Sequence, residues 1–120
     1  MKKIFELKDL ASLLKKKYSK KRVVLCHGVF DILHIGHLEH FEQAKKNGDI
    51  LVVSITADKF VSKGPNRPAF DQNIRLKALS AINSIDYVCI SNSNTAIETL
   101  KNLQPDYYCK GLEYKNHKND

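Results

Sequence analysis

His34 and His37 stand three residues apart in the run Gly28-Val29-Phe30-Asp31-Ile32-Leu33-His34-Ile35-Gly36-His37. Two imidazoles at that spacing near a helix start share one face, and Gly36 between them leaves room for a bulky ligand. The apolar run Val23-Val24-Leu25-Cys26 comes just before, so the segment reads as strand, glycine turn, helix. Backbone N–H groups, a helix N-terminus and two imidazoles then converge, which suits the phosphate chain of a nucleotide. The imidazoles donate hydrogen bonds to phosphate oxygens and help most where charge grows in the transition state. His40 continues the spacing but lies six residues from His34, well off that face, so no metal site is expected.

Neighbouring residues extend the candidate site. Asp31 either orients a histidine or caps the turn. The backbone N–H near Phe30, with Gly28, is a candidate phosphate ligand, while the Phe30 ring reads as core. Lys63 heads the loop Gly64-Pro65-Asn66-Arg67-Pro68. From there a lysine can close over an anionic substrate, and an ordinary solvated lysine fits the position equally well. Arg75 falls in the first turn of a helix, where a cation opposes the helix dipole, and this points to a phosphate partner. Asp58 follows the second strand and Lys110-Gly111 ends the fourth, both at the carboxyl edge.

The elements that must position these residues follow from periodicity. Leu7, Leu10, Ala11 and Leu14 predict an amphipathic helix over 6–17. Strands are expected over 22–27, 50–55, 86–90 and 106–110. The near-continuous apolar run of the second suits a parallel strand covered on both faces. A helix over 35–46 should stop at Asn47-Gly48, with Gly48 left-handed. Residues 62–70 read as a loop, and Asp71 caps a helix running to about residue 82. Thr95-Ala96-Ile97-Glu98 matches a capping box opening a short helix to Leu103, which Pro105 blocks. Strands alternate with helices and no hairpin signal appears. The expected fold is therefore α/β: a single-domain, Rossmann-like open parallel sheet with helices on both faces and right-handed crossovers. Its ligand should sit beyond the carboxyl ends of the strands, where Gly28 to His37 fall. We divide the chain into a helix and basic linker (1–21), the main domain (22–115) and a polar tail (116–120).

Composition narrows the classes. The chain has 120 residues, 42% of them hydrophobic, enough for one globular domain. No apolar stretch approaches the roughly 18 residues a bilayer span needs, and the leading Met1-Lys2-Lys3-Ile4-Phe5-Glu6 lacks signal-peptide features. A cytoplasmic location and no membrane partner are expected. The net charge of +7 resides entirely in residues 1–22, with nine Lys/Arg against two Asp/Glu; the remainder balances. That excess suits a solvated helix C-terminus better than an anchoring patch. Without aromatic interleaving or a recognition motif, no nucleic-acid partner is expected. Cys26, Cys89 and Cys109 fall in predicted strands without metal or disulfide spacing and read as buried free thiols.

The run GVFDILHIGH resembles the His-x-Gly-His signature of the cytidylyltransferase-like nucleotidyltransferases. The Lys63–Pro68 loop, Arg75, Asp86-Tyr87-Val88, Pro105-Asp106 and Lys110-Gly111 resemble one branch, the adenylyltransferase domain of bifunctional heptose enzymes in which a sugar kinase is fused to the transferase. The resemblance covers roughly residues 22–115. It implies transfer of AMP or CMP from ATP or CTP to a sugar phosphate, with Mg2+ bridging the triphosphate and pyrophosphate leaving. His34, His37 and Lys63 would be catalytic. Gly28, Phe30, Asp31, Gly36, Arg75, Lys110 and Gly111 would bind the nucleotide. A fused or separate kinase domain, or a second copy in a homodimer, would be the protein partner. Relatives of this kind carry a Ser/Thr-rich turn and a further helix after the Lys-Gly strand, absent before Asp120. The ending Tyr114-Lys115-Asn116-His117-Lys118-Asn119-Asp120 accordingly reads as the start of a linker into missing sequence. A binding or assembly module inactive without that segment is the alternative.

Overall fold

In the computed structural model, residues 2–61 and 68–109 are described. Four parallel strands, β1 (Val23–Gly28), β2 (Ile50–Thr56), β3 (Tyr87–Ser91) and β4 (Tyr107–Cys109), form one sheet in the order β3-β2-β1-β4. Alternate residues of each strand feed two apolar layers. Val24, Cys26, Leu51, Val53, Ile55 and Val88 pack with Phe41 and Ala44 of α2 (Ile35–Lys45) and with Leu76 and Leu79 of α3 (Gln72–Ser80). On the other face Val23, Leu25, Val52, Tyr87 and Cys89 meet Leu10 and Leu14 of α1 (Leu7–Lys17) and Leu103 of α4 (Ile97–Leu103). Covering both faces explains why β2 is buried along its whole length. The strand order reverses between β1 and β4, so the turn leaving β1 opens at the topological switch point.

Three aspartates set the register at the amino-terminal edge of this sheet. Asp49 donates its N–H to the Arg22 carbonyl (2.8 Å) and accepts the Arg22 N–H on its carboxylate (2.9 Å). Asp86 makes the same pair with Leu51 (2.9 and 2.8 Å), and Asp106 with Val23 (2.8 and 2.7 Å). In each case the residue just before one strand uses its carboxylate to continue the ladder of the neighbouring strand. An amide that would otherwise lack a partner at a sheet end is thereby satisfied. This places Asp86 and Asp106 before their strands rather than inside them. Lys45 of α2 pairs with the Asp86 carboxylate, tying that helix to the same corner.

Other expectations change on inspection. Gly48 is not left-handed; a Cβ there would lie 2.9 Å from the Arg22 carbonyl oxygen, so close approach to the backbone is what requires glycine. Among the described non-glycine residues the left-handed ones are Phe30 (φ 50°) and Gln104 (φ 48°), the latter ending α4 ahead of Pro105. The expected capping box at 95–98 does not form, because Ala96 is the N-cap residue and has no side-chain acceptor. Thr95 Oγ1 accepts from the Ile97 N–H, and Glu98 instead reaches back to the Asn92 N–H (3.1 Å). The amino-terminal segment is integral to the core. Ile4 bridges Val88 at the outer edge of β3, and Leu10 of α1 is fully buried.

Candidate active site

At the carboxyl end of β1 the chain turns through Phe30 and enters α2 with His34 as N-cap. A left-handed conformation for a bulky residue costs about 1–2 kcal/mol, and packing holds it there. The Phe30 ring is buried under Gly28, where a Cβ would come within 3.0 Å of it. It packs edge-on to Phe41 (5.2 Å between centroids) and to His37 (6.0 Å). Phe30 is therefore core, as its sequence context suggested.

The two histidines cap the helix reciprocally. His34 Nδ1 accepts the Gly36 N–H (3.0 Å), and His37 Nδ1 accepts the His34 N–H (3.2 Å). A ring nitrogen that accepts from an amide carries no proton, so the proton of each neutral ring sits on Nε2. The rings lie 4.3 Å apart between centroids, His34 exposed and His37 half-buried. The helix end thus holds two imidazoles side by side in one tautomer, each carrying an Nε2–H donor. Gly36 has its amide taken by this cap, so its contribution to a ligand is the lack of a side chain. His40 turns the other way, buried with Nε2 3.8 Å from Cys26 Sγ.

Arg75, expected as a phosphate contact, is buried among protein acceptors. Its residue is 1% exposed. Nε–H donates to the Phe70 carbonyl (3.0 Å), Nη1 to those of Val29 (3.0 Å) and Thr56 (2.9 Å), and Nη2 to Asp58 Oδ1 (2.6 Å). The dipole cost of a cation in the first turn is offset by these acceptors. Gln72 and Asp58 exchange a further pair of hydrogen bonds through their side chains and amides. The Asp31 carboxylate accepts the Ala69 (2.6 Å) and Phe70 (2.9 Å) N–H groups. Lys63, Lys110 and Gly111 lie outside the described residues.

One polar group near this edge escaped the sequence reading. His27, beside Gly28 on the face opposite Cys26, pairs through Nδ1 with Ser54 Oγ (2.6 Å) and through Nε2 with Thr56 Oγ1 (3.5 Å). Burial pushes its imidazole below the ordinary value. The signal available was alternation alone, since Ser54 and Thr56 share a sheet face with residue 27 across the β1–β2 pair.

A doubly wound parallel sheet with a His-x-Gly-His helix cap at its switch point has the architecture of a nucleotidyltransferase domain. Residues 25–118 match the Cytidylyltransferase-like family, and the chain belongs to it. It is 40% identical over 112 residues to the bifunctional protein HldE of Campylobacter fetus subsp. fetus, covering 92% of this chain and 24% of that protein. The HldE of Nitratiruptor sp. is 40% identical over 97 residues, or 79% of this chain and 21% of that one. This chain therefore spans about a quarter of the length of these curated relatives. The crystal structure of a lipopolysaccharide core biosynthesis protein from Thermoplasma volcanium superposes with a TM-score of 0.68 at 33% identity, over 73% of this chain and 72% of that one. Among the described residues no helix is long and apolar enough to cross a membrane.

Proposed function

We propose that the domain transfers a nucleoside monophosphate, AMP or CMP, from a nucleoside triphosphate to a sugar phosphate. The observation that carries this reading is the reciprocal histidine cap, which presents two Nε2–H donors at a helix start on the ligand edge of the sheet. A phosphate oxygen of the acceptor attacks the α-phosphorus, the bond to the β-phosphate oxygen breaks, and pyrophosphate leaves. The nucleophile is already ionised, so no general base is required, and rate comes from alignment and charge stabilisation. The two imidazoles donate to oxygens on which negative charge accumulates, and their caps hold them ready beforehand. The resemblance to the bifunctional heptose enzymes, and the superposition on a lipopolysaccharide core biosynthesis protein, favour a sugar phosphate as acceptor.

Magnesium belongs with the triphosphate in this reading. The carboxylates of this edge fit a protein-held ion poorly: Asp31 is taken by two amides, and Asp58 by Arg75 and Gln72. The ion would supply charge neutralisation on the β- and γ-phosphates. Lys63, Lys110 and Gly111 stay in the proposal as phosphate contacts on the strength of the family resemblance. A kinase domain fused to or associated with this one, or a second copy, is the proposed protein partner, and the cytoplasm the proposed location. A panel of the four nucleoside triphosphates against sugar phosphates with magnesium, read by pyrophosphate release, tests the reading. Release dependent on both a triphosphate and a sugar phosphate is expected. Nucleotide binding without release for any pair would refute it.

A further inference from the structure

The turn between β1 and α2 contains a left-handed phenylalanine and no regular hydrogen bonding pattern of its own, yet it must deliver His34 as a helix cap. Strained backbone of this kind persists only where its surroundings over-determine it. Two charged side chains do so here. Arg75 donates to the Val29 carbonyl at the head of the turn, and Asp31 at its middle accepts the N–H groups of Ala69 and Phe70. The two meet at one peptide unit: the Phe70 N–H goes to Asp31, while the Phe70 carbonyl takes the Arg75 Nε–H. The contacts therefore close a ring, from Asp31 to Phe70 to Arg75 to Val29 and back along the chain. Arg75 anchors that ring to the end of β2 through the Thr56 carbonyl and to Asp58.

We propose that Asp31 and Arg75 are positioning residues for the paired imidazoles, locking the β1–α2 turn, and with it the His34 cap, against the end of β2 and the start of α3. The proposal rests on the transferase reading for its kinetic consequence but not for its structural one. It reassigns both residues from nucleotide contacts to the support of the groups that make those contacts. Arg75 suits the role because only a guanidinium spreads donors over four acceptors in one plane. Asp31 suits it because both carboxylate oxygens are in use.

The test is Asp31→Asn in the full chain. Asparagine keeps the shape but turns one acceptor into an NH2 group facing an amide N–H, so one of the two contacts must break. Two readouts are taken: steady-state kinetics, and long-range 1H–15N imidazole spectra, which report the tautomers of His34 and His37. Displacement of about 1 Å at a reacting group costs up to roughly 100-fold. Turnover is expected to fall about 10- to 100-fold with the triphosphate KM within about threefold, and both rings should lose their single Nε2–H signature. Arg75→Lys should reproduce the spectral change, and if that buried variant does not fold, Asp31→Asn alone decides. Unchanged spectra would overturn the proposal. A rise in KM with kcat intact would overturn it also, because Asp31 would then act on the substrate directly. Altered spectra in a domain whose wild type shows no turnover would uphold the positioning role and defeat the transferase reading.

Discussion

Replacing His34 by asparagine and by alanine separates the two jobs its ring performs. Nδ1 caps α2 by accepting the Gly36 N–H at 3.0 Å, which leaves the proton of the neutral ring on Nε2 as its donor. Asparagine places its Oδ1 close to where Nδ1 stands, so the cap survives and only the donor is lost. Alanine loses both. A helix N-cap contributes typically about 1 kcal/mol, within a range of roughly 0.5–2. A donor aimed at developing charge contributes about 10²- to 10³-fold in rate, or roughly 2.7–4 kcal/mol. H34A is therefore expected to be about 1 kcal/mol less stable than the parent, and H34N within a few tenths of it. Both should be slower by about two to three orders of magnitude in nucleotidyl transfer. Urea denaturation followed by far-ultraviolet circular dichroism gives the first quantity, and pyrophosphate release at saturating substrate the second. The reasoning fails if H34N is as unstable as H34A, since Nδ1 would then not be the cap. It fails equally if H34N turns over within threefold of the parent.

Four further outcomes follow from the contacts. Asp106→Ala strands the Val23 N–H and should cost about 2 kcal/mol, whereas Asp106→Asn keeps an acceptor and should cost under about 1; equal urea midpoints for the two would defeat the register account. Gly48→Ala drives a Cβ against the Arg22 carbonyl and should destabilise by about 1–3 kcal/mol, with an unchanged melting temperature as the contrary result. His27 is held below its ordinary value by burial, so the unfolded chain binds the proton more readily than the folded one. Its contribution is complete above the unfolded value of about 6.5 and is lost as pH falls below it, with a slope of at most about 1.4 kcal/mol per pH unit; His27→Gln should flatten the stability profile between pH 7 and 5 relative to the parent. Cys109, lowered to about 7 by hydrogen bonds from Cys26 and, less strongly, Asn47, should alkylate with a midpoint near neutrality, while Cys26 and Cys89, pushed up and buried, stay silent. Cys26→Ala should move that midpoint upward, and a static midpoint would exclude the thiol pairing.

What the sequence disclosed depended on whether a property is local. Helix and strand positions, the two-faced sheet and the placement of His34 to His37 at the ligand edge all follow from periodicity and from one glycine turn. These are short-range signals, and they agree with the strand reversal beside β1. The contacts the sequence left hidden are long-range. Arg75 reads as an anion ligand when only its own helix is considered. The carbonyls of Val29 and Thr56 that satisfy it lie 46 and 19 residues away in the chain. Asp31 reads as a local cap because nothing in its neighbourhood announces the amides of residues 69 and 70. The capping box at 95–98 is a different, local miss: the pattern is present, but the Asn92 amide, six residues back at the end of β3, takes Glu98 instead.

The contrast also ranks the site residues by how they act. His34 and His37 are recognisable from ten consecutive residues because their geometry is made locally, each ring held by an amide within three positions. The groups that hold the turn in place are drawn from three segments distant in sequence and brought together only by the sheet. Substitution should therefore have two distinct signatures at this edge. At the imidazoles, rate falls while the helix cap can be preserved by asparagine. At Asp31 and Arg75, rate falls because the cap itself is displaced, and the tautomer signals of residues 34 and 37 register the loss. A variant of Asp31 that slows transfer while leaving those signals untouched would break this division, and would return the carboxylate to the substrate.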